Sequence, residues 1–132
     1  MSIKTIRIEL ARGPGHPEGD PGHAYEFRAP LDTFRYLDKT AWPRVKPFCT
    51  VHRFEDGFEV ERGLLILTGK GHWAFSYAPG SEDDEGLFKL GTHRIVPDEY
   101  ITVTEHDGEA RTFRITSVSD WHAAPVAHSA AL

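Results

Sequence analysis

The chain has few of the features that mark secreted, membrane-spanning or disulfide-stabilised proteins. Cys49 is the single cysteine among 132 residues, so no intramolecular disulfide can form. The longest uninterrupted apolar run, residues 64–67, is far shorter than the roughly 20 residues that a membrane helix requires. The first ten residues, MSIKTIRIEL, alternate like a strand and lack the apolar stretch of a secretory signal. We therefore expect a cytoplasmic protein with no membrane segment.

The usual catalytic motifs are also missing. The sequence contains no Gly-x-Ser-x-Gly nucleophile elbow and no glycine-rich phosphate loop of standard spacing. Its eight histidines never form His-x-His or His-x-x-x-His, the spacings that place two metal ligands on one face of a strand or helix. These absences argue against a serine hydrolase, a phosphate-loop enzyme and a metal site built on one element.

Charge is unevenly distributed along the chain. The net charge of −5 argues against a nucleic-acid partner, because phosphate contacts demand a basic surface. Residues 28–53 nevertheless carry a net charge of +4, whereas residues 54–109 carry −9. If the fold gathers the basic side chains on one face, a local anion site is expected there; otherwise they form a solvated surface. The six basic residues are Arg28, Arg35, Lys39, Arg44, Lys46 and Arg53.

Most of the chain shows the period of two that is typical of half-buried strands. The pattern runs through residues 6–10 and 25–29, and again through 58–67 and 73–77, which predict a long hairpin pair with an apolar, aromatic inner face. Residues 101–104 and 113–116 flank an Asp-Gly turn and predict a second hairpin. The one helical candidate lies at residues 38–48, where Pro43 suits only a first turn and Pro47 limits the length.

These patterns predict a mainly β fold. We expect a small antiparallel β-barrel, or a sandwich, of seven to eight strands with one short helix near residues 38–48. The barrel is favoured because a closed sheet leaves no unpaired edges. A single domain over residues 1–121 is expected. The Ala-rich residues 122–132 are interpreted as a tail that is flexible or packed by a partner subunit.

The loop GPGHPEGDPGH, residues 13–23, is the densest candidate binding site. It offers His16, Glu18, Asp20 and His23, which are nitrogen and oxygen ligands, on a backbone stiffened by prolines and opened by glycines. Loops of this length in a compact domain are usually functional or disordered. A small ligand or a divalent metal could bind here. The alternative is an exposed connection, because no two of these ligands share a helical or strand spacing.

Metal ligands could also be drawn from separate strands. His72 together with His93 or His106 are the candidates, provided that their strands are neighbours. A divalent metal cofactor would follow from such a site. Surface or hydrogen-bonded histidines are the alternative interpretation.

Two further motifs receive structural interpretations. Cys49 and His52 form Cys-x-x-His without the second half of a zinc site, so we predict a buried, inert cysteine that closes the short helix. The acidic run at residues 82–85 lies between Pro79-Gly80 and Gly86, and such flanking turn residues are typical of a hairpin loop. We predict that these acids solvate the loop and protect an aromatic hairpin from association. A Ca²⁺ or Mg²⁺ site is the alternative.

Several segments resemble a family of small uncharacterised bacterial proteins. They are Tyr25–Asp32, Trp73–Tyr77, the run 82–85 and Glu105–Gly108 with the following Thr112-Phe113. This resemblance covers most of the chain and implies no activity or site residue. A fainter likeness links Ile95–Val103 and its following hairpin to PUA-like barrels, which commonly bind RNA or modified bases.

Three functional hypotheses follow from the sequence. The first is a non-enzymatic β-barrel that binds a small molecule or a partner protein through the loop at residues 13–23 and exposed aromatics. The second is a metal-dependent enzyme with histidine and carboxylate ligands from separate strands. The third is a homo-oligomeric structural protein.

Overall fold

A computed structural model describes residues 2–77 and 83–122. Glu82 of the acidic run, and residues 123–132 of the predicted tail, lie outside the described residues. The predictions made for them therefore stay predictions.

The predicted barrel is confirmed. Eight antiparallel strands follow one another around the sheet in chain order, and the last strand pairs with the first to close it. They are β1 (Ser2–Leu10), β2 (Asp20–Leu31), β3 (Thr50–Glu55), β4 (Phe58–Leu67), β5 (Trp73–Ser76), β6 (Glu85–Phe88), β7 (Tyr100–Thr104) and β8 (Ala110–Asp120).

Local sequence explains how the strands turn and bend. Asp56 and Gly57 both have positive φ (52° and 82°), the conformation of a two-residue hairpin turn, between β3 and β4. Gly108 (φ 83°) makes the equivalent bend before β8, so the predicted Asp-Gly hairpin is confirmed. Register shifts at Arg7/Ile8 and Arg53/Phe54 place bulges that increase the twist a small barrel needs.

The barrel interior is filled by alternate side chains of the strands. Tyr25 and Phe27 each lie with their ring centroid 5.1 Å from that of Phe75, and Phe113 meets Tyr25 at 5.2 Å. All four are at most 1% exposed, and branched aliphatic residues such as Ile6 and Ile8 complete the core. Trp73 and Phe75 face inward as the alternation predicts.

The two ends of the barrel differ in how they are closed. The connections that follow β1, β3, β5 and β7 lie at one end, here named the hairpin end. Those that follow β2, β4 and β6 lie at the other, the helical end, where residues 32–49 and 89–99 cross the opening. Leu37, Leu90 and Ile95 from these crossings are buried and plug the helical end.

The short helix lies inside its predicted range. α1 spans Trp42–Val45 with Pro43 in its first turn, and a 3₁₀ turn over Lys46–Phe48 continues to Cys49. Asp38 Oδ1 accepts a hydrogen bond from the backbone N–H of Ala41 at 3.0 Å and so fixes the turn that leads in.

The inner face of β4 was predicted wrongly in its first half. Phe58 and Val60 are 75% and 47% exposed, while Glu61 points toward the barrel opening. The inward phase of β4 runs through Leu65, Gly63 and Glu61, so Val60 faces outward. The register shift at Arg53/Phe54 places one extra residue in β4 itself. The hairpin end therefore receives a carboxylate where the alternation predicts an apolar side chain.

No helix among the described residues combines the length and the apolar character needed to cross a bilayer.

Candidate functional site

Ionisable side chains are buried inside the hairpin end of the barrel. Tyr25 of β2, Arg53 of β3, Glu85 of β6 and Glu105, just after β7, meet there together with Tyr77, which follows β5. We name these five residues the buried carboxylate cluster. Glu85 and Glu105 are 0% and 3% exposed, which is rare for carboxylates unless they are paired.

Hydrogen bonds to the two tyrosines connect the carboxylates. The Tyr25 hydroxyl lies 2.5 Å from Glu105 Oε2 and 3.0 Å from Glu85 Oε1. Tyr77 donates to the same Glu85 oxygen at 2.7 Å, and the backbone N–H of His106 donates to the other at 3.0 Å. Burial and the neighbouring carboxylates raise the pKa of both tyrosines, so their hydroxyls remain protonated donors.

The two carboxyl groups differ in the direction of their pKa shifts. Burial raises the pKa of Glu85, because a carboxylate charge is poorly solvated inside the barrel. Burial would also raise the pKa of Glu105, but hydrogen bonds from His23 and Tyr25, with the charge of Arg53, outweigh it and lower that pKa.

Arg53 supplies the central positive charge. Its guanidinium lies 3.6 Å from both Glu85 and Glu105, 3.7 Å from Glu61, and in closer contact with Glu55. Although burial opposes its charge, hydrogen bonds with Tyr25 and Glu55 raise the pKa of Arg53 further. The guanidinium therefore stays charged and neutralises the buried acids around it.

Three partly exposed cationic or titratable side chains close the rim over the cluster. His23 Nε2 contacts Glu105 at 2.7 Å, and Arg111 Nη1 donates to the other oxygen of Glu105 at 2.9 Å. His106 Nε2 contacts Glu61 at 2.6 Å. Among the described residues the only buried side-chain polar atoms without partners are Thr50 Oγ1 and Asp84 Oδ1, so the cluster is internally satisfied.

The acidic run requires a correction. Asp83 is exposed, as predicted for a solvated loop, but Glu85 is fully buried as the first residue of β6. Its position opposite Phe75 and its bonds to Tyr25 and Tyr77 hold it inside the barrel. The prediction that these acids only solvate a loop is therefore wrong for Glu85.

The predicted ligands of the loop at residues 13–23 point in different directions. His16 and Glu18 are exposed, Asp20 Oδ1 accepts from the backbone N–H of Gly22, and His23 turns inward to Glu105. Glu18 and Asp20 line a pocket of about 620 Å³ with Glu9, Arg12 and Arg114, which mixes charges of both signs. Ligand binding by this loop stays a prediction.

The three histidines proposed as metal ligands do not form one site. His106 lies at the hairpin end, whereas His72 precedes β5 and His93 follows a 3₁₀ turn at the helical end. In the part of the chain that the structure describes, no three histidine, cysteine or acidic side chains converge on a metal position. The barrel places His106 at the opposite end from His72 and His93, and metal binding by His72 with His93 stays a prediction.

The helical end carries a groove on the side of the barrel, which we name the basic groove. Its volume is about 650 Å³, within the range of small-molecule sites. It is lined by Leu37, Lys39, residues 71–73, residues 86–92 and Thr104. Apolar side chains dominate these walls, and no carboxylate is among them. A recess of about 550 Å³, bordered by Lys70 and Asp84, adjoins the groove.

Trp73 presents a polar edge to the basic groove. Its side chain is 5% exposed, and Trp42 packs edge-on against it at 5.8 Å between ring centroids. The Trp42 indole N–H donates to Leu65 O at 3.1 Å, but within residues 2–77 and 83–122 no acceptor meets the Trp73 indole N–H. A Cβ at Gly91 would lie 3.2 Å from Trp73 Nε1, so glycine keeps this edge open.

Cys49 is buried as predicted. Burial raises its pKa to about 11, and its Sγ donates weakly to Val45 O at 3.5 Å. A protonated, enclosed thiol is a poor nucleophile. Cys49 therefore belongs to the core beside the short helix.

The sequence contained a signal for part of the cluster. Each of the three charged residues lies two positions from a buried apolar strand residue, and so continues its inward phase. The pairs are Arg53 with Val51, Glu85 with Leu87, and Glu105 with Val103. If the alternation of inward-facing positions is continued to charged residues, it predicts that all three side chains point into the barrel. The basic groove has no comparable signal, because its walls come from segments far apart in the chain.

Comparisons with known proteins add no functional assignment. No protein-family model matches the chain, and neither a curated protein nor a solved structure gives a significant match. The resemblance to small bacterial proteins and the fainter likeness to PUA-like barrels therefore stay untested.

Proposed function

We propose that this protein is a non-enzymatic small-molecule-binding β-barrel whose site is the basic groove. The observation that carries the proposal is a groove of about 650 Å³ with apolar walls and a few polar groups, next to a fully packed barrel core. Sites for small molecules typically combine an apolar body with a few orienting polar groups. This site differs from the loop at residues 13–23 that the sequence favoured.

The polar features of the two ends support this choice. The buried carboxylate cluster satisfies its own hydrogen-bonding groups and closes its rim with His23 and Arg111. The basic groove instead presents the Trp73 indole N–H and two exposed lysine side chains, Lys39 and Lys89, along its walls. A ligand gains more from groups that lack protein partners than from groups that must first lose them.

Binding of an uncharged apolar fluorophore tests the proposal directly. Phenylnaphthylamine, which brightens in apolar surroundings, should bind the protein saturably. Replacing Gly91→Val should weaken this binding at least ten-fold, because the new side chain starts 3.2 Å from Trp73 Nε1 and fills the groove. Circular dichroism of the Gly91→Val variant checks that the barrel still folds.

Gly13→Val is the matched control for that experiment. Gly13 lies at the hairpin end, where an added Cβ has no neighbour within 4 Å. The control should bind the fluorophore as the unaltered protein does. Absence of saturable binding, or equal affinity in both variants, would overturn the proposal.

A further inference from the structure

The lysines of the basic groove lack the partners that many other basic side chains have. Among residues 2–77 and 83–122, six lysine and arginine side chains lie within 4.0 Å of a carboxylate: Lys4, Arg7, Arg53, Arg62, Arg111 and Arg114. No carboxylate of the same residues lies within that distance of Lys39 or Lys89. Two ammonium groups on one groove without a counter-charge create a local positive potential in a chain whose net charge is −5.

Both lysines are positioned by the fold. Lys39 Nζ would lie 4.0 Å from a Cβ at Gly71, so the side chain reaches across to the segment before β5. Lys89 follows β6 with a left-handed backbone (φ 52°), a conformation that non-glycine residues seldom adopt. Its Nζ lies 5.1 Å from the centroid of the Phe88 ring. The ammonium is thus held near an apolar wall of the groove.

The walls between the lysines suit an apolar body. Leu87 and Leu90 are 4% and 1% exposed, and Phe88 is 62% exposed at the rim. The Trp73 indole N–H adds a hydrogen-bond donor at the opposite wall, beside Gly91. Three polar side chains of the groove, those of Lys39, Lys89 and Trp73, can only donate hydrogen bonds. The hydroxyls of Thr92 and Thr104 and the ring of His72 can donate or accept.

We infer that the ligand class of the basic groove is an organic anion: an apolar chain or ring that carries a carboxylate or sulfonate. The anionic group faces Lys39 and Lys89, and the apolar part covers Leu87, Leu90 and the Trp73 edge. This inference rests on the proposed function, since it names the chemistry of the same site.

A matched pair of fluorophores separates the two proposals. Anilinonaphthalene sulfonate and phenylnaphthylamine share one ring system, and only the first carries an anionic group. We expect the sulfonate to bind at least ten-fold more tightly, with an affinity that falls as sodium chloride is raised. Octanoate should displace it at a concentration at least ten-fold lower than octanol requires.

Substitution of the two lysines completes the test. Lys39→Met with Lys89→Met keeps the apolar stems and removes both charges, so it should abolish the preference for the sulfonate while leaving phenylnaphthylamine binding unchanged. Lys46→Met is the control, because Lys46 lies at the same end over the Trp42 ring but does not line the groove.

The outcomes are distinct. If both fluorophores bind equally and the lysine substitutions change neither, the groove binds ligands but the anion inference is wrong. If neither fluorophore binds, the proposed function itself is overturned. A preference for the sulfonate that survives in the double variant would also contradict the role of Lys39 and Lys89.

Discussion

The two ends of the barrel handle charge in opposite ways. At the hairpin end Arg53 has the carboxylates of Glu55, Glu61, Glu85 and Glu105 within 4.0 Å. At the helical end Lys39 and Lys89 line an apolar groove with no carboxylate in its walls. The charges of the first end are buried and paired with one another, whereas the exposed lysines of the second end exchange only water for an incoming anion. This difference supports a structural role for the first end and the proposed binding at the second.

Removing the central cation of the hairpin end should have the largest effect. Arg53→Met removes the one cation that Glu85 and Glu105 share inside the barrel, so the free energy of unfolding should fall by about 3–5 kcal/mol. Urea denaturation at neutral pH measures this loss. Arg62→Met is the matched control, because its side chain is 74% exposed, and its midpoint should stay nearly unchanged. Equal midpoints for the two variants would show that the cluster contributes nothing particular to stability.

The pH dependence of stability should depend on Glu85. Burial raises the pKa of Glu85 in the folded state, so the folded protein binds this proton more tightly than the unfolded chain does. The stabilisation is complete below the unfolded pKa of about 4.5 and is lost as pH rises through the folded value. Glu85→Gln, which stays neutral, should therefore gain stability relative to the unaltered protein as pH rises above about 4.5.

Glu109→Gln serves as the control for that measurement. Glu109 is exposed in the turn between β7 and β8, so its replacement should change the free energy of unfolding little. Glu105 acts in the opposite direction, because its pKa is lowered and its contribution is lost only as pH falls through its folded value, below about 4.5. A Glu85→Gln variant with the same pH slope as the unaltered protein would contradict a raised pKa of Glu85 in the folded state.

The smallest effect on stability is expected at the helical end. Lys39→Met with Lys89→Met removes two exposed charges that have no carboxylate partner among the described residues, so thermal stability should change by less than about 0.5 kcal/mol or rise slightly. Calorimetry without ligand measures this. A large loss of stability would show that these lysines support the fold, and the contrast between the two ends would fail.

The sequence predicted the barrel because several signals agreed. The Asp-Gly turn fixed the hairpin of β7 and β8, and Pro43 and Pro47 limited the helix to the segment that contains α1. The inward position of Trp73 and Phe75 followed from alternation alone. Each of these features depends on neighbours within a few residues, so local patterns are sufficient to find them.

The sites could not be predicted in the same way. Glu85 looks like one acid among four, and its burial depends on Tyr25, which is distant in the chain and becomes a neighbour only when the barrel closes. The continuous apolar run at residues 64–67 hides the phase of β4, in which Leu65 and Glu61 face inward and Val60 faces outward. Lys39 lies in the connection after β2 and Lys89 in the connection after β6, and both line the basic groove. Contacts of this kind are set by closure and register, which the period of two does not encode.

The indole N–H resonances of Trp42, Trp73 and Trp121 offer the most direct test of the central claim. During a titration with octanoate followed by proton–nitrogen NMR, the Trp73 resonance should move saturably, because its N–H borders the basic groove. The Trp42 resonance, whose N–H is bonded to Leu65 O, should move little, and octanol should produce much smaller shifts of the Trp73 resonance than octanoate at equal concentration. An unmoved Trp73 resonance at saturating octanoate, or equal shifts with octanol, would contradict the binding of an organic anion in the basic groove.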